Sequence, residues 1–495
     1  MKPIAQIVRE KPWVGWVVFA ATLVVVFLLG LVVASFMERG IEKRKAFQLI
    51  VPIDKLEVRS EIWGKSFPRE YETWLETADT SFRSKWGGGA MRDMLEEDPR
   101  WVVLWAGYPF SKDYNQGRGH SYAVEDVRNT LRTNSGMPGT CWTCKSPDVP
   151  RVMNEQGSAA GFYKAKWEDW GAEIVNPIGC LDCHDPETMN LDISRPALLE
   201  AFERMDTDIE MATHQEMRRL ACAQCHVEYY FKGPDKYLTF PWDGGMSVEA
   251  IEKYYDDADF ADWTHTLSRA KMLKAQHPDY ELFETGIHAQ RGLACPDCHM
   301  PYRAEGGVKF SSHKVQSPLN HISETCTVCH RESEEDLRNN VYERQDAIKE
   351  LLSTAVDALT RAHIESKAAW DNGATEDEMA PILTLIRHAQ WRCDFVGASH
   401  GAPFHTPVES GRIVGSAIQK AQEARLLLAR VLAAHGVTEP VELPDLSTKA
   451  KAQAYIGLDM EAERATKADS RDRVFPRWDE EAEAREAKLP KGEVR

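Results

Sequence analysis

Positive charge is scarce in this 495-residue chain: 60 Lys and Arg stand against 77 Asp and Glu, for a formal net charge of −17. That balance leaves no basic face for nucleic acid. It serves solubility, and it also suits docking against a basic patch on a protein partner. Cysteine outside pairs is almost absent. Ten of the 11 cysteines fall in CxxC pairs, so only Cys393 is left over, without a partner for a disulfide, and it reads as a buried apolar thiol. Charge is missing altogether from residues 13–37, and proline is missing from 336–370. No internal repeat stands out beyond the cysteine motifs. Hydrophobic residues still make up 43% of the chain, enough to bury a large core across two or three domains.

The pairs read CWTCK at 141–145, CLDCH at 180–184, CAQCH at 222–226, CPDCH at 295–299 and CTVCH at 326–330. Zinc would use such pairs two at a time and has no need for a histidine directly after each. A redox dithiol wants a βαβ context that the sequence does not offer. CxxCH is the attachment signature of c-type haem, with two thioethers from the cysteines and an axial ligand from the histidine. The cysteines are then Cys141 with Cys144, Cys180 with Cys183, Cys222 with Cys225, Cys295 with Cys298 and Cys326 with Cys329. The proximal histidines are His184, His226, His299 and His330.

A haem that only carries electrons is closed on both faces, commonly by two histidines. Four such haems need four further histidines from the 16 in the chain. The lysine-ended copy is different. An amine binds iron only after losing its proton, which a buried ferric centre can drive, and axial identity is a main lever on haem chemistry. One odd haem among four ordinary ones reads as a catalytic centre fed by a wire.

Haem of this type is attached outside the cytoplasm, so the body of the chain must be exported. Residues 13–37 exceed a typical secretory h-region and suffice to span a bilayer, with Trp13 and Trp16 near one end. They read as an uncleaved anchor; VAS at 33–35 leaves a cleaved signal peptide as the alternative. The expected layout is a membrane anchor at 1–37, a charged linker at 38–60 and a pentahaem catalytic region at 61–335. A C-terminal helical region at 336–480 and a mobile tail at 481–495 follow. The fold class is mainly α: a haem-dominated core of short helices and loops, long C-terminal helices and an N-terminal transmembrane helix. Two stretches show helical spacing, 337–370 and 410–436, the second ending on glycine.

CWTCKSPDVP, CHVEYYF at 225–231, KAQHPDYELF at 274–283, RGHSYAVEDVRNTLRT at 118–133 and KAQAYIGLDM at 451–460 resemble segments of the pentahaem, ammonia-forming cytochrome c nitrite reductases. The resemblance covers about residues 50–480. It implies five c-type haems, with Lys145 as proximal ligand of the active one. Arg132, Tyr229 and His277 would stand on its open face. The distal ligands would be His120 for the haem of His226, His288 for that of His330, His313 for that of His184 and His405 for that of His299. His214, His265, His321, His363, His388, His400 and His435 are left as structural or exposed. Calcium would be held by the Glu228 carboxylate, the Tyr229 and Lys274 carbonyls and the Gln276 side chain.

The implied reaction is six-electron, eight-proton reduction of nitrite to ammonium. A pure electron-transfer cytochrome, or a related multihaem reductase of other small nitrogen or sulfur oxyanions, is the alternative. The implied partners are nitrite, a quinol-oxidising multihaem cytochrome as donor and a second copy of the chain. The implied location is the periplasmic side of the cytoplasmic membrane, anchored or, after cleavage, soluble. Intact mass and carbonate extraction of native membranes test the anchor. The expected result is a membrane-retained chain that keeps residues 13–37; a chain starting near residue 36 and released with the periplasm would make the stretch an export signal only.

Overall fold

The computed structural model describes residues 9–46 and 49–489. Helix α1, Pro12–Ala46, opens it. Its span Pro12–Glu38 holds an 18-residue stretch of mean hydropathy 3.0, none of it buried among the described residues. By length and composition it can cross a membrane. The helix runs past the expected boundary at 37, so the first part of the expected linker is helical. The last part is not linker either. Val51, Glu57, Val58 and Arg59 are buried, and Val58 packs with Trp63 and Leu181 beside the second cysteine motif. A bidentate Glu57–Arg59 pair (2.7 and 2.6 Å) and the Trp63 indole bonded to the Glu57 carbonyl (3.0 Å) pin this stretch down.

From here to about residue 330 the chain is short helices, 3₁₀ turns and two-stranded antiparallel ladders. No element is long enough to bury a wide apolar face alone. Aromatic stacking fills in, for example Trp142 on Trp167 (4.9 Å between centroids, 6° between planes). Three long helices follow: α2 (Glu334–Asp371), α3 (Glu376–Ala398) and α4 (Pro407–Ala434). Ser333 caps α2 through the Asp336 amide (3.1 Å), and three acids in its first turn face the positive end of the helix dipole. Gly373, at φ 91°, lets the chain turn from α2 into α3. The sequence patterns pointed to α2 and α4. They passed over α3, whose run is interrupted by Pro381. Its signal is the capping box of Thr375 and Glu378, in which the Thr375 amide reaches the Glu378 carboxylate at 2.8 Å.

The expected mobile tail begins as structure. Helix α5, Phe475–Glu486, buries Phe475, Trp478 and Ala482. Asp479 accepts from Arg128 (2.7 Å), and Glu486 accepts from Asn176 (2.9 Å). Residues up to 486 therefore belong to the body, and 490–495 lie outside the described residues.

Helices α2 and α3 meet over a buried histidine pair. His363 of α2 stacks on His265 at 3.7 Å and bonds Ser268 (2.9 Å) and Gln390 of α3 (2.7 Å). Burial holds His363 down at about 4, against the Gln390 hydrogen bond that raises it. The unfolded chain, with an ordinary histidine near 6.5, binds the extra proton first as pH falls. Stability is therefore full above about pH 6.5 and is lost progressively towards pH 4, by about 3 kcal/mol for this group. His363→Gln keeps polar partners for Ser268 and Gln390 but cannot take the proton. Thermal melts of the holoprotein at pH 7 and 5 should show a smaller acid loss in this variant than in the wild type.

Candidate haem and active site

Four pairs of imidazoles face each other across the motif region. The ring centroids of His120 and His226 are 6.4 Å apart, of His184 and His313 6.2 Å, of His288 and His330 6.4 Å, and of His299 and His405 6.3 Å. A metal ion bonded to two opposed imidazoles at about 2 Å each separates their centroids by about 6 Å. All four pairs are those expected from the sequence, and their spacing fits an iron between them. The ring orientation fits too. Nδ1 of His184, His299 and His313 points at the carbonyls of Met189 (2.9 Å), Gln316 (2.8 Å) and Ser311 (2.8 Å), which leaves Nε2 as the lone-pair donor. Burial pushes His120 and His184 down to about 4, so both are neutral and able to ligate.

The cysteines place the motifs relative to one another. None forms a disulfide. The Cys144 thiol is within hydrogen-bond reach of Cys225, and Cys222 is within reach of Cys295. CWTCK therefore lies against CAQCH, and CAQCH against CPDCH. Chain order does not give this.

The lysine-ended motif sits on a 3₁₀ turn, Gly139–Trp142, whose tryptophan is buried. Arg195, 1% exposed, clamps it from below. Its guanidinium donates to the carbonyls of Thr143 (2.6 Å) and Ser146 (2.8 Å) and to the Asp182 carboxylate of CLDCH (2.5 Å). Asp148, fully buried, accepts from the Ser146 hydroxyl (3.1 Å) and from the amides of Val175 (3.0 Å) and Asn176 (2.9 Å). These bonds account for the SPD that follows CWTCK. The half-buried Lys145 amine has no hydrogen-bond or ion-pair partner among the described residues, so its lone pair, once deprotonated, is uncommitted.

Arg132, Tyr229 and His277 gather around this motif. Arg132 follows the turn begun at Thr130, whose hydroxyl accepts from its Nε (3.2 Å), and its guanidinium lies over Phe110 (4.3 Å). No carboxylate pairs with it among the described residues. Burial, then the Cys144, Cys141 and Glu228 charges, push the Tyr229 phenol well up, while Arg132 pulls it back. Burial lowers the His277 ring's proton affinity, but the Asp279 carboxylate at 3.0 Å outweighs it and raises the net value. His226, His277 and Asp279 also present donor atoms within 4.8 Å of one another. His226 is already accounted for by its cysteines and by His120, so this cluster is not read as a separate metal centre.

Behind Tyr229 lies a pocket of acid. Glu228 is fully buried, accepts from the Gln276 amide (2.6 Å) and the Tyr255 hydroxyl (2.9 Å), and has no base within ion-pair distance among the described residues. Burial drives its carboxyl well up. Glu281 and Asp262 stand beside it, raised by burial to about 7 and about 6. One Glu281 oxygen is buried with no partner. The nearby Lys274 ammonium is committed to Asp394 at 2.9 Å. The Lys274 carbonyl, which accepts from the Gln276 side chain at 3.0 Å, lies at the same spot. Several carboxylates, carbonyls and an amide oxygen without a compensating base make a donor set for a hard divalent cation.

A sequence model of the family described as cytochrome c552 matches residues 59–488. The chain belongs to the cytochrome c552 family. It is 58% identical over 483 residues to cytochrome c-552 of Parabacteroides distasonis, covering 96% of this chain and 98% of the relative. It is also 58% identical over 484 residues to cytochrome c-552 of Bacteroides fragilis, with the same coverage. Among solved structures it resembles cytochrome c nitrite reductase from Desulfovibrio desulfuricans, a catalytic subunit described with two calcium sites. That likeness has a TM-score of 0.72 and 29% identity and covers 83% of this chain and 90% of that one.

Sequence reasoning singled out the histidines that face one another but not the residues that support them. Arg195, Asp148, Asp262, Glu281 and Asp279 were not singled out. Arg195 carries no local signal, whereas Asp279 and Glu281 sit inside the quoted KAQHPDYELF segment and could have been questioned there. The acid pocket predicts a cation-dependent stability. Chelator-stripped wild type should gain thermal stability on adding calcium. Glu228→Gln, which cannot become anionic, should gain much less from calcium.

Proposed function

We propose that this cytochrome c552 reduces nitrite to ammonium at a haem held by Cys141, Cys144 and Lys145, with electrons drawn from four bis-histidine haems. The observation that carries the reading is an asymmetry. Four motifs have opposed imidazoles, while the fifth ends in an amine without a partner, with Arg132, Tyr229 and His277 grouped around it. The reaction consumes six electrons and eight protons per nitrite and releases ammonium and two waters. When bound, haem supplies electron transfer and a coordination position for nitrogen. The residues do the rest. The Arg132 guanidinium, without a carboxylate partner among the described residues, receives the anion and holds it by charge-assisted hydrogen bonds. His277, kept proton-rich by Asp279, delivers protons, and Tyr229 relays or donates a hydrogen bond to partly reduced nitrogen.

Calcium held by Glu228, the Tyr229 and Lys274 carbonyls and Gln276 would tie Tyr229 and His277 to one rigid point. Asp262 and Glu281 would add negative charge around it. The wider setting we propose is a homodimer on the periplasmic side of the cytoplasmic membrane, held by α1 and fed by a quinol-oxidising multihaem cytochrome. Tethering raises the donor's effective concentration without requiring a tight interface. A pure electron-transfer role would leave the unpaired Lys145 and Arg132 without a task.

The test is anaerobic turnover of purified protein with reduced viologen, scoring ammonium against nitrite consumed. Pyridine haemochrome should count five haems, and electron paramagnetic resonance of the ferric resting protein should show four low-spin and one high-spin. A protein with no high-spin haem and no ammonium would belong to the electron-transfer class. Arg132→Ala should weaken nitrite binding by about 10- to 150-fold, the worth of a hydrogen bond to a charged group. Lys145→His should keep its haem while losing activity.

A further inference from the structure

The Nδ1 atoms of the haem-motif histidines do not all meet the same kind of acceptor. His184 and His299 point theirs at backbone carbonyls. His330 is exposed, and the nearest carboxylate, Glu332, is 3.8 Å away, past hydrogen-bond range. His226 alone turns its Nδ1 to a carboxylate within range, Asp279 Oδ2 at 3.4 Å. The same oxygen lies 3.0 Å from His277 Nε2. The other oxygen, Oδ1, accepts from the Ser399 hydroxyl at the end of α3. The bridge is held in place by the backbone: the Tyr280 amide donates to the His226 carbonyl (3.0 Å), and the Asp279 amide to the His277 carbonyl (2.7 Å).

His226 belongs to CAQCH, the motif whose Cys225 lies against Cys144 of the lysine site. Its haem is the one placed to pass electrons directly to that site. An anionic acceptor on the far nitrogen of an axial histidine makes the imidazole a stronger donor and favours ferric iron, which lowers the reduction potential. A neutral carbonyl does so less.

We propose that Asp279 is a positioning residue for both halves of the reaction: through one oxygen it holds His277 in place, and it makes His226 the strongest imidazole donor in the chain, so the haem beside the active site is the most reducing of its closed neighbours. This rests on the reading of His226 as a haem ligand and His277 as the proton donor. No atom is transferred by Asp279; its effect is carried by two hydrogen bonds.

The experiment is a potentiometric titration of the calcium-replete holoenzyme, followed by electron paramagnetic resonance, in three variants beside the wild type. Asp279→Asn exchanges the anion for a weaker, neutral acceptor and should move one low-spin midpoint to higher potential, leaving the other three in place while turnover falls. Asp279→Glu should bring that midpoint back towards wild type. Ser399→Ala removes a competing donor, leaves more charge on the carboxylate and should move the same midpoint the opposite way, to lower potential. A structural disturbance would not reverse sign between Asp279→Asn and Ser399→Ala. If Asp279→Asn loses a haem, Ser399→Ala carries the test alone. Unmoved low-spin midpoints with reduced turnover would overturn the proposal and leave Asp279 as a support of His277 only. Haem count, spin state and ammonium yield of the wild type are scored first, so failure of the underlying reading is seen separately.

Discussion

Two imidazoles from distant parts of the chain must face each other about 6 Å apart, and this must happen four times. That requirement organises the region between the first motif and the long helices. Its helices are too short and its ladders too narrow to bury much surface by themselves. The pairs His120–His226, His184–His313, His288–His330 and His299–His405 each join segments that no local pattern would bring together. The packing around them is correspondingly unforgiving. A Cβ at Gly286 would sit 2.1 Å from the His405 carbonyl oxygen, and one at Gly401 would sit 2.3 Å from its ring. Both positions need glycine for close approach, and one of them directly precedes the segment that carries His288.

Charge obeys a second rule. Where the body buries an ion it usually supplies the counter-ion: Arg195 for Asp182, Lys274 for Asp394, Arg392 for Glu252. The exceptions cluster. Lys145 and Arg132 have no acid partner, and Glu228 and Glu281 have no base among the described residues. Leaving such groups uncompensated costs several kcal/mol each unless something else arrives to pair with them. Uncompensated cations beside the lysine motif suit an anionic substrate. Uncompensated anions behind Tyr229 suit a bound cation. Preorganised charge of this kind acts on a reacting anion without rearrangement.

The cysteine motifs were legible in the sequence because covalent chemistry dictates their spacing, whereas the histidines that face them came only from the family resemblance. A thioether needs cysteine, an axial site needs histidine or lysine, and the spacing is local. Helices α2 and α4 were legible because a long apolar stripe repeats at helical spacing. Helix α3 was not, since Pro381 interrupts the run and its capping box is only two residues wide. The ends of the body were misjudged for a related reason. Residues 51–60 and 475–486 are rich in charge, yet Glu57 and Arg59 neutralise each other, and Arg128 and Asn176 receive Asp479 and Glu486. A charged stretch looks like linker or tail until its partners, far away in the chain, are known. Arg195 is the extreme case: one residue in an unremarkable segment, fully buried, holding two motifs together.

The polar supports of the motif histidines differ in kind. The CLDCH histidine is oriented by a backbone carbonyl, in Met189, a residue held at φ 57°. A carbonyl orients a ring and does little more. The histidine next to the lysine site has a carboxylate instead, and that carboxylate is already engaged with a proton-carrying side chain. An electron arriving at the active haem needs a proton to follow it if charge is not to accumulate in a buried space. On the proposed function, the Asp279 carboxylate would stand between the last electron carrier and the first proton carrier, within reach of both rings. Neither the cysteine spacing nor the helical periodicity could have shown this, because it depends on which face of a short helix, Asp279–Glu284, meets which ring.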